Sequence, residues 1–340
     1  MQISTFFNIV KKYTNMTEKQ VTLSEMEKEG RSMKSSNIGG QAVLEGMMMK
    51  NGDQYAVAVR KPDGEIALQQ EEYHGVIRCK TLTRLPFVRG IFSFIDSLVL
   101  GMKTLSYSAS FFEEEEEEAL SEQEAAKKEK KENLIMGITM ACSVVIAVAI
   151  FMILPYLISN LLKPLVPGRF ARTVIEGLVR IVLFIAYILL ISRMKDIQRV
   201  FMYHGAEHKC INCIEHGMDL TVENVRKSSR QHKRCGTSFL FFVLFVSIIV
   251  CFFITTESPV LRVLLRIALL PVIAGISYEI IRLAGNTDNP VVEFLSKPGL
   301  ALQNLTTKEP EDDMIEVAIC SVEAVFDWKQ YQKENFPKEP

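Results

Sequence analysis

Residues able to bind a metal ion are concentrated in the stretch YHGAEHKCINCIEHG, residues 203–217, which holds three of the chain's five histidines. His204 and His208 are four residues apart, so on a helix they share one face, with Glu207 beside them. Two imidazoles at this spacing can hold one zinc ion, and a neighbouring carboxylate can orient or deprotonate a bound water. The order His-x-x-Glu-His is the inverted zincin motif, which predicts Glu207 as a general base.

A third protein ligand is needed for a tetrahedral catalytic zinc site with one open position. The stretch QHKRCGTSF supplies His232 and Cys235 just before a long apolar run, and Glu279 lies near the end of another. A carboxylate at membrane depth usually has a functional reason. We therefore expect one of these three residues to complete the site. One alternative is a closed structural site that uses Cys210 and Cys213 with the same histidine and cysteine. Another is a polar helix beside the membrane that binds water or lipid headgroups without a metal.

Apolar residues make up 48% of the chain and are concentrated after Asn133. Four runs are each about long enough to cross ~30 Å of hydrocarbon. These runs are Leu134–Leu157, Thr173–Ser192, Thr237–Thr255 and Pro259–Leu283. Because they are apolar on all sides, they favour membrane spans over buried helices of a soluble protein. The sequence therefore predicts a mainly α-helical, multi-pass protein of the cell membrane with four transmembrane helices.

Lysine and arginine flank these runs unevenly. Four lysines shortly precede the first run, and nine basic residues lie in the loop of residues 193–235 between the second and third runs. The other two connections hold three basic residues and none. Because cytoplasmic loops carry the excess of basic residues, both termini and the 193–235 loop are expected in the cytoplasm. The net charge of −1 indicates no nucleic-acid partner. The expected partners are the lipid bilayer and a lipid or membrane-protein substrate.

Composition divides the chain into five parts. They are a disordered polar tail (1–36), a cytoplasmic β-meander with a membrane-surface amphipathic helix (37–112), a charged linker (113–132), a four-span membrane domain (133–284) and a cytoplasmic C-terminal segment (285–340). Three strands are expected in QAVLEGMMMK, QYAVAVRK and EIALQQEE, separated by the turn signals Asn51-Gly52 and Pro62-Asp63-Gly64. Arg84–Leu105 is too interrupted by charged residues for a span, and an amphipathic helix on the membrane surface fits it better.

Several of these stretches together resemble the YqhQ-like membrane proteins, a family of unknown function described as predicted metal-dependent enzymes. The resemblance is carried by IGGQAVLEGMMMKNG, PFVRGIFSFIDSLVLGMKTLSYSA, YHGAEHKCINCIEHG, QHKRCGTSF, SYEIIRLAG and KPGLALQNLTTKEPEDDMIEVAI. It covers most of the chain from residue 38 to about residue 326. It implies a multi-pass membrane protein with a polar site formed by His204, Glu207, His208, His232 and Cys235.

The family pattern differs from this chain at one position and adds a further candidate. Lys233 stands where the family tends to have proline, a change that hardly affects metal binding. Cys210 and Cys213 are not part of the pattern, which counts against the closed cysteine site. Glu45, in QAVLEGMMMK, is expected in mid-strand between apolar residues. It is either a further site residue or a buried carboxylate paired with a cation such as Arg89.

Three hypotheses of function follow from these patterns. The first is a cytoplasm-facing, zinc-dependent hydrolase that acts on a membrane-associated lipid or peptide, with Glu207 as base. The second is a non-catalytic membrane adaptor or assembly factor that uses the same site structurally. The third is a transporter in which Arg180, Arg262 and Arg266 line a polar path. Four spans without an evident inverted repeat make the third the least favoured.

Overall fold

The structure, a computed structural model, describes residues 34–77, 85–112, 122–254, 256, 258–285, 287 and 289–337. The chain divides into two compact units. The first, here called the sheet unit, consists of Met1–Phe112, Ile188–Val243 and Ala274–Pro340. The second, the helical unit, consists of Glu113–Tyr187 and Leu244–Ile273.

Four strands and twelve α-helices make up the described chain. The strands are β1 (Gly39–Val43), β2 (Gly46–Asn51), β3 (Gln54–Arg60) and β4 (Ile66–Glu72). The helices up to the 193–235 loop are α1 (Val88–Ala109), α2 (Glu122–Val148), α3 (Leu154–Leu161) and α4 (Arg169–Ile191), and a π-helical turn, Ala149–Ile153, joins α2 to α3. The remaining helices are α5 (Lys195–Glu215), α6 (Val222–Lys227), α7 (Gly236–Phe253), α8 (Pro259–Ala268), α9 (Leu270–Ala284), α10 (Pro290–Thr306), α11 (Asp312–Val325) and α12 (Trp328–Asn335).

The strands form one antiparallel sheet in the order β1-β2-β3-β4. The prediction of three strands was wrong, because QAVLEGMMMK folds back on itself as a hairpin in which Val43 pairs with Gly46. Glu45 therefore lies in a two-residue turn, with φ of 48°, and not in mid-strand. The predicted turn at Asn51-Gly52 is confirmed, since Asn51 pairs with Gln54 across it.

Both faces of the sheet are covered, which explains three methionines in a row on β2. Side chains alternate between the two faces of a strand. Met47 and Met49 face a core shared with Ile211 of α5 and Met314 of α11. Met48 faces the other way, into a second cluster that contains Leu100 of α1. The sheet therefore lies between α1 on one face and α5 with α11 on the other.

Three helices of the described chain are long and apolar enough to cross a membrane: Gly137–Leu161, Phe170–Ile191 and Gly236–Phe253. A fourth crossing is formed if Val260–Ala268 and Leu270–Ala284, which meet at a bend of 41°, act as one span. The outer surface of α4 exposes large apolar side chains such as Leu178. The four predicted runs thus correspond to three straight helical segments and one bent pair.

The predicted amphipathic helix is present as α1, which begins at Val88 and continues to Ala109. Its place on a membrane surface stays a prediction, and Arg84 lies outside the described residues. Most of the predicted tail and the acidic half of the predicted linker also lie outside them. The end of the tail is described, and there Ser36 is buried against Glu215. The basic half of the linker forms the first turns of α2.

Candidate functional site

The two histidines of the inverted zincin motif lie one turn apart on α5, as their spacing predicts. The ring centroids of His204 and His208 are 4.5 Å apart. Most of α5 from Tyr203 onward is buried, so the histidines line the interior of the sheet unit and not a solvated helix face. His208 is 1% exposed, whereas His204 stays partly accessible.

Cys235, just before α7, joins the two histidines. Its Sγ lies 3.2 Å from Nε2 of His204. One ligand atom from each of His204, His208 and Cys235 can be chosen so that all three atoms lie within 4.8 Å of one another. Within the described residues these three form the one group of His, Cys, Asp or Glu side chains close enough to hold a metal ion.

Backbone carbonyls orient both histidine rings. Nδ1 of His204 lies 2.9 Å from the carbonyl oxygen of Thr306, and Nδ1 of His208 lies 2.5 Å from that of Arg230. A carbonyl can only accept, so each Nδ1 carries the proton and donates it. The Nε2 atoms are then the nitrogens left to bind a ligand, an arrangement typical of metal-binding histidines.

The electrostatics of the cluster favour a thiolate. Burial raises the pKa of Cys235, but the charges of His204 and His208 outweigh it and hold the pKa well below its ordinary value. Burial lowers the pKa of His204, and the sulfur of Cys235 reverses this and raises it to about 9. Without a metal the pair is therefore a thiolate beside an imidazolium. A metal ion would take the place of the imidazolium proton.

The donor set fits zinc. Two imidazoles and one thiolate are ligands that zinc accepts, and three protein ligands leave one open position, as in catalytic sites. Ligand atoms of a tetrahedral zinc site are separated by about 3.6 Å, as follows from Zn–N and Zn–S bonds of about 2.1 and 2.3 Å. The 3.2 Å between His204 and Cys235 and the 4.8 Å limit of the group need only small side-chain adjustments to match this.

Glu207 lies beside the cluster and is not one of its members. Its Oε1 accepts a hydrogen bond of 3.1 Å from the backbone N–H of Gly40 on β1. Burial raises the pKa of Glu207, and the neighbouring His208 and His204 partly oppose this. A methyl group at Gly40 would lie 2.6 Å from the carbonyl oxygen of Met48 and 3.2 Å from Cγ of Glu207. Only glycine at this position leaves room for β1 to pack against both β2 and Glu207 of α5.

His232 lies next to the cluster, but its ring is turned elsewhere. Its Nε2 is 3.5 Å from Oε2 of Glu215, and its ring centroid is 5.7 Å from that of His208. Burial lowers the pKa of His232, although the hydrogen bond to Glu215 opposes this. Glu215 is fully buried and also accepts hydrogen bonds from Ser36 and from Arg234. Of the candidates for the third ligand, Cys235 alone reaches the two histidines.

The two remaining candidate carboxylates are engaged in ion pairs. Glu279 receives a hydrogen bond of 2.7 Å from Nε of Arg89 and one of 3.0 Å from the backbone of Phe87. Glu45 pairs with Arg199, whose Nη2 lies 2.6 Å from its Oε2. The suggested pairing of Glu45 with Arg89 was wrong, because Arg89 is held by Glu279. Neither carboxylate reaches the histidine–cysteine cluster.

Cys210 and Cys213 belong to the hydrophobic core and not to the cluster. Sγ of Cys213 donates to the carbonyl of Asp219 at 3.4 Å. Burial raises the pKa of Cys213 to about 12 and that of Cys210 well above its ordinary value. Neither cysteine belongs to the group of side chains close enough to hold a metal ion, which does not fit the closed thiolate site.

Two residues of QNLTTKEP position the site, a role that the sequence analysis did not predict. Thr306 supplies the carbonyl that orients His204. Gln303 accepts from the backbone N–H of His232 at 2.9 Å and donates to its carbonyl at 2.8 Å. The segment lies directly on α5, where a methyl group at Gly205 would be 2.0 Å from the carbonyl oxygen of Lys308. A glycine between two candidate ligands was the one available signal of this contact.

Comparison with known proteins agrees with the sequence motifs. The family described as "Protein of unknown function (DUF1385)" matches residues 85–328. The "Uncharacterized protein YqhQ" of Bacillus subtilis (strain 168) is 36% identical over 300 residues, which cover 87% of this chain and 94% of that protein. No solved structure matches the chain at a significant level. By both the extent of the family match and the identity to this relative, the chain belongs to the DUF1385 family.

Proposed function

We propose that this protein is a multi-pass membrane protein whose cluster of His204, His208 and Cys235 binds zinc on the cytoplasmic side and hydrolyses a membrane-associated substrate. The observation that carries the proposal is the orientation of the cluster. Both Nδ1 atoms are committed to backbone carbonyls, so both Nε2 atoms are left to meet the Cys235 sulfur. The three to four long apolar helices support insertion in a membrane.

The residues around the cluster suit hydrolysis. When bound, zinc would supply a Lewis acid that polarises a carbonyl or phosphoryl group and lowers the pKa of water. Glu207 would accept the proton of the attacking water, and its raised pKa brings it closer to neutral pH, where a general base works best. The Gly40 N–H holds one carboxylate oxygen in place. Because His204 is the accessible member of the group, a substrate would approach on its side.

Metal content of the detergent-purified protein tests the binding site. Wild type is expected to carry about one zinc per chain, and His204→Ala, His208→Ala and Cys235→Ser are each expected to lose it, because two ligands hold zinc too weakly. His232→Ala is the matched control, since it removes a buried histidine next to the cluster and should leave the metal. Glu207→Gln should also leave the metal and remove activity.

The open position can be tested without knowing the substrate. Cobalt(II) substituted for zinc changes its visible spectrum when azide enters the coordination sphere, so azide should alter the spectrum of wild type. A wild-type protein that carries no transition metal when purified without chelators would contradict the proposal. So would metal loss in His232→Ala together with retention in Cys235→Ser.

A second candidate function is that of a non-catalytic adaptor. It is favoured by the way the cluster fastens separate segments together: α5 through its histidines, the start of α7 through Cys235, and the end of α10 through Thr306. A metal here would then fix the cytoplasmic part of the protein. A cobalt spectrum that azide leaves unchanged, with full metal content, is the result that would favour this role.

A further inference from the structure

The helical unit contains a group of charged side chains that are mostly buried. Arg180, Arg266 and Glu176 are each 4% exposed, and Arg262 lies half-buried beside them. Glu176 is the one carboxylate that pairs with these arginines in the described part of the unit. Two of the three guanidinium groups share this one carboxylate, and the described residues therefore leave an excess of two positive charges in this arginine cluster.

Glu176 is already divided between two partners. Its Oε1 accepts from Nη2 of Arg180 at 3.1 Å, and its Oε2 accepts from Nη2 of Arg266 at 2.9 Å. Arg180 also donates to the hydroxyl of Ser247 at 2.8 Å. Arg262 has no carboxylate partner among the described residues and donates to the carbonyl of Thr256 at 2.6 Å. Hydrogen bonds to neutral oxygens do not cancel its charge.

Several donors of the arginine cluster are buried and without a hydrogen-bond partner. They include the Nε atoms of Arg180, Arg262 and Arg266. Nη1 of Arg266 is also unpartnered, because it lies 2.6 Å from Oε1 of Glu176 without the alignment of a hydrogen bond. The ring of Tyr156 brings two of the arginines together, with its centroid 5.4 Å from Cζ of Arg262 and 5.5 Å from Cζ of Arg266. Unpaired donors therefore converge at one place.

An arginine cannot relieve this imbalance by losing its proton, because its pKa is too high. Buried cations are costly unless they are paired, and most of all at membrane depth. Adding the carboxylate of Glu257, which lies outside the described residues, would still leave one positive charge in excess. The imbalance and the unpaired donors both call for an anion. A phosphate group fits best, since its oxygens accept from several guanidinium forks at once.

The position of the cluster along the apolar helices indicates the source of such a phosphate. Glu176 lies about 10 Å from the start of α4 and Arg180 about 16 Å, at 1.5 Å per residue. Both lie inside a segment apolar enough to span a membrane. Arg262 lies only three residues from the start of α8 and is partly exposed, so its long side chain is within reach of the headgroup region. We propose that the cluster of Arg180, Arg262 and Arg266 binds the phosphate of an anionic phospholipid, an inference that rests on the proposed membrane insertion but not on the zinc site.

Lipid titration of the delipidated protein in detergent tests this site. Short-chain phosphatidylglycerol, phosphatidylcholine and inorganic phosphate are added separately, and bound lipid is measured by native mass spectrometry. Wild type is expected to prefer phosphatidylglycerol, and Arg262→Gln to bind it about tenfold more weakly or worse. Lys163→Gln is the matched control, because it removes an exposed cation of the same unit outside the cluster. Its affinity should equal that of wild type.

A second variant separates a binding site from a purely structural ion pair. Glu176→Gln removes the competing carboxylate, so it should bind phosphatidylglycerol at least as tightly as wild type, opposite to Arg262→Gln. Equal binding by wild type and Arg262→Gln, or equal preference for phosphatidylcholine, would overturn the proposal. Inorganic phosphate that displaces the lipid at similar concentration would overturn the lipid source. Metal content should be unchanged in Arg262→Gln, so failure here and failure of the zinc site remain distinguishable.

Discussion

At the scale of single residues, each histidine of the histidine–cysteine cluster has one ring nitrogen fixed by the protein and the other left to bind. Thr306 and Arg230 hold the two Nδ1 atoms, and the backbone N–H of Thr237 points at the sulfur of Cys235 at 3.3 Å. Hydrogen bonds of this kind fix ring orientation and ligand basicity. Glutamine or asparagine in place of His204 would have to give up either the carbonyl or the metal.

Glu215 gives the sheet unit a dependence on pH. Burial alone would raise its pKa, but His232, Arg234 and the backbone of Ser36 lower it to about 2. Since burial lowers the pKa of His232, Arg234 is the lasting counter-charge near neutral pH. A carboxylate with a depressed pKa stabilises the fold above its unfolded pKa and loses this effect as pH falls toward its folded pKa. We therefore expect a contribution of up to about 3 kcal/mol that disappears between about pH 4.5 and about pH 2.

The measurement is the unfolding free energy of wild type and Glu215→Gln against pH. The variant should be less stable near pH 7, and the two curves should converge as pH falls. Glu223→Gln is the control, because Glu223 is exposed and pairs only with Lys227 on the surface of α6. A constant difference between wild type and Glu215→Gln down to pH 2 would contradict the assignment.

At the scale of elements, the approach of β1 to α5 places Glu207. Gly40 permits the approach, whereas at the neighbouring Gly39 an added methyl group would meet nothing within 4 Å. The methyl group of Gly40→Ala would lie 2.6 Å from the Met48 carbonyl on β2 and 3.2 Å from Cγ of Glu207 on α5. The substitution is therefore expected to disturb the contacts of β1 with both elements, to cost about 1–3 kcal/mol of stability and to release Glu207 from its N–H partner. Metal content should remain, since no ligand is touched.

Gly39→Ala is the matched control for this prediction, being the same substitution one residue away. It should leave stability, metal content and activity near wild type. The measurements are the thermal unfolding temperature and the zinc content of Gly40→Ala and Gly39→Ala. Loss of zinc in Gly40→Ala would indicate that Glu207 is itself a ligand, and equal stability of the two variants would show that the close packing of β1 on α5 is not needed.

The elements could be predicted from the sequence only where the pattern is local. The four-residue spacing of His204 and His208 is a property of one helix, and α5 shows it as expected. The choice of Cys235 over His232 depends on a contact between α5 and the start of α7, which no local pattern contains. The hairpin at Glu45 was missed because β2 is buried on both faces and β1 is partly buried along most of its length, so no alternation marks the turn.

The role of α10 was missed for a related reason. QNLTTKEP has no apolar periodicity that would indicate a packed helix end. Gln303 is polar because its side-chain amide satisfies the buried backbone N–H and carbonyl of His232. The side chain of Thr306 donates to the hydroxyl of Thr237 at 3.2 Å, while its backbone carbonyl orients the ring of His204. Buried polar groups need such partners. A sequence shows the polar residue but not the distant group that it satisfies.

At the scale of the whole molecule, the composition of one core constrains the number of membrane crossings. The buried cluster of the sheet unit combines Met47 from before the first apolar helix, Ile211 from between the second and third, and Met314 from after the last. The hydroxyl of Ser321 on α11 also donates to the carbonyl of Ala56 on β3 at 3.1 Å. Segments that share a core lie on one side of a membrane. An even number of crossings must therefore separate each of them from the next.

The requirement for an even number of crossings distinguishes a protein with four spans from one with three. Two apolar helices lie between the sheet and α5, but between α5 and α11 only α7 is a straight span. For the membrane insertion that we propose, the bent pair of α8 and α9 is therefore expected to complete a crossing. Single cysteines at Glu65, Glu223 and Lys333, all exposed, are then expected on the same side, and one at Lys163 on the other. The basic residues of the 193–235 loop predict that the shared side is the cytoplasm.

Labelling with a membrane-impermeant maleimide tests both statements. The background has serine in place of exposed Cys142, of partly exposed Cys320 and of Cys79, which lies outside the described residues. Lys163→Cys should react in intact cells, whereas Glu65→Cys, Glu223→Cys and Lys333→Cys should react only after the membrane is opened. Inverted labelling of all four would reverse the orientation and place the histidine–cysteine cluster outside. If Lys333→Cys alone reacted in intact cells, the C-terminal helices could not share a core with the sheet, because α11 would lie across the membrane from β3.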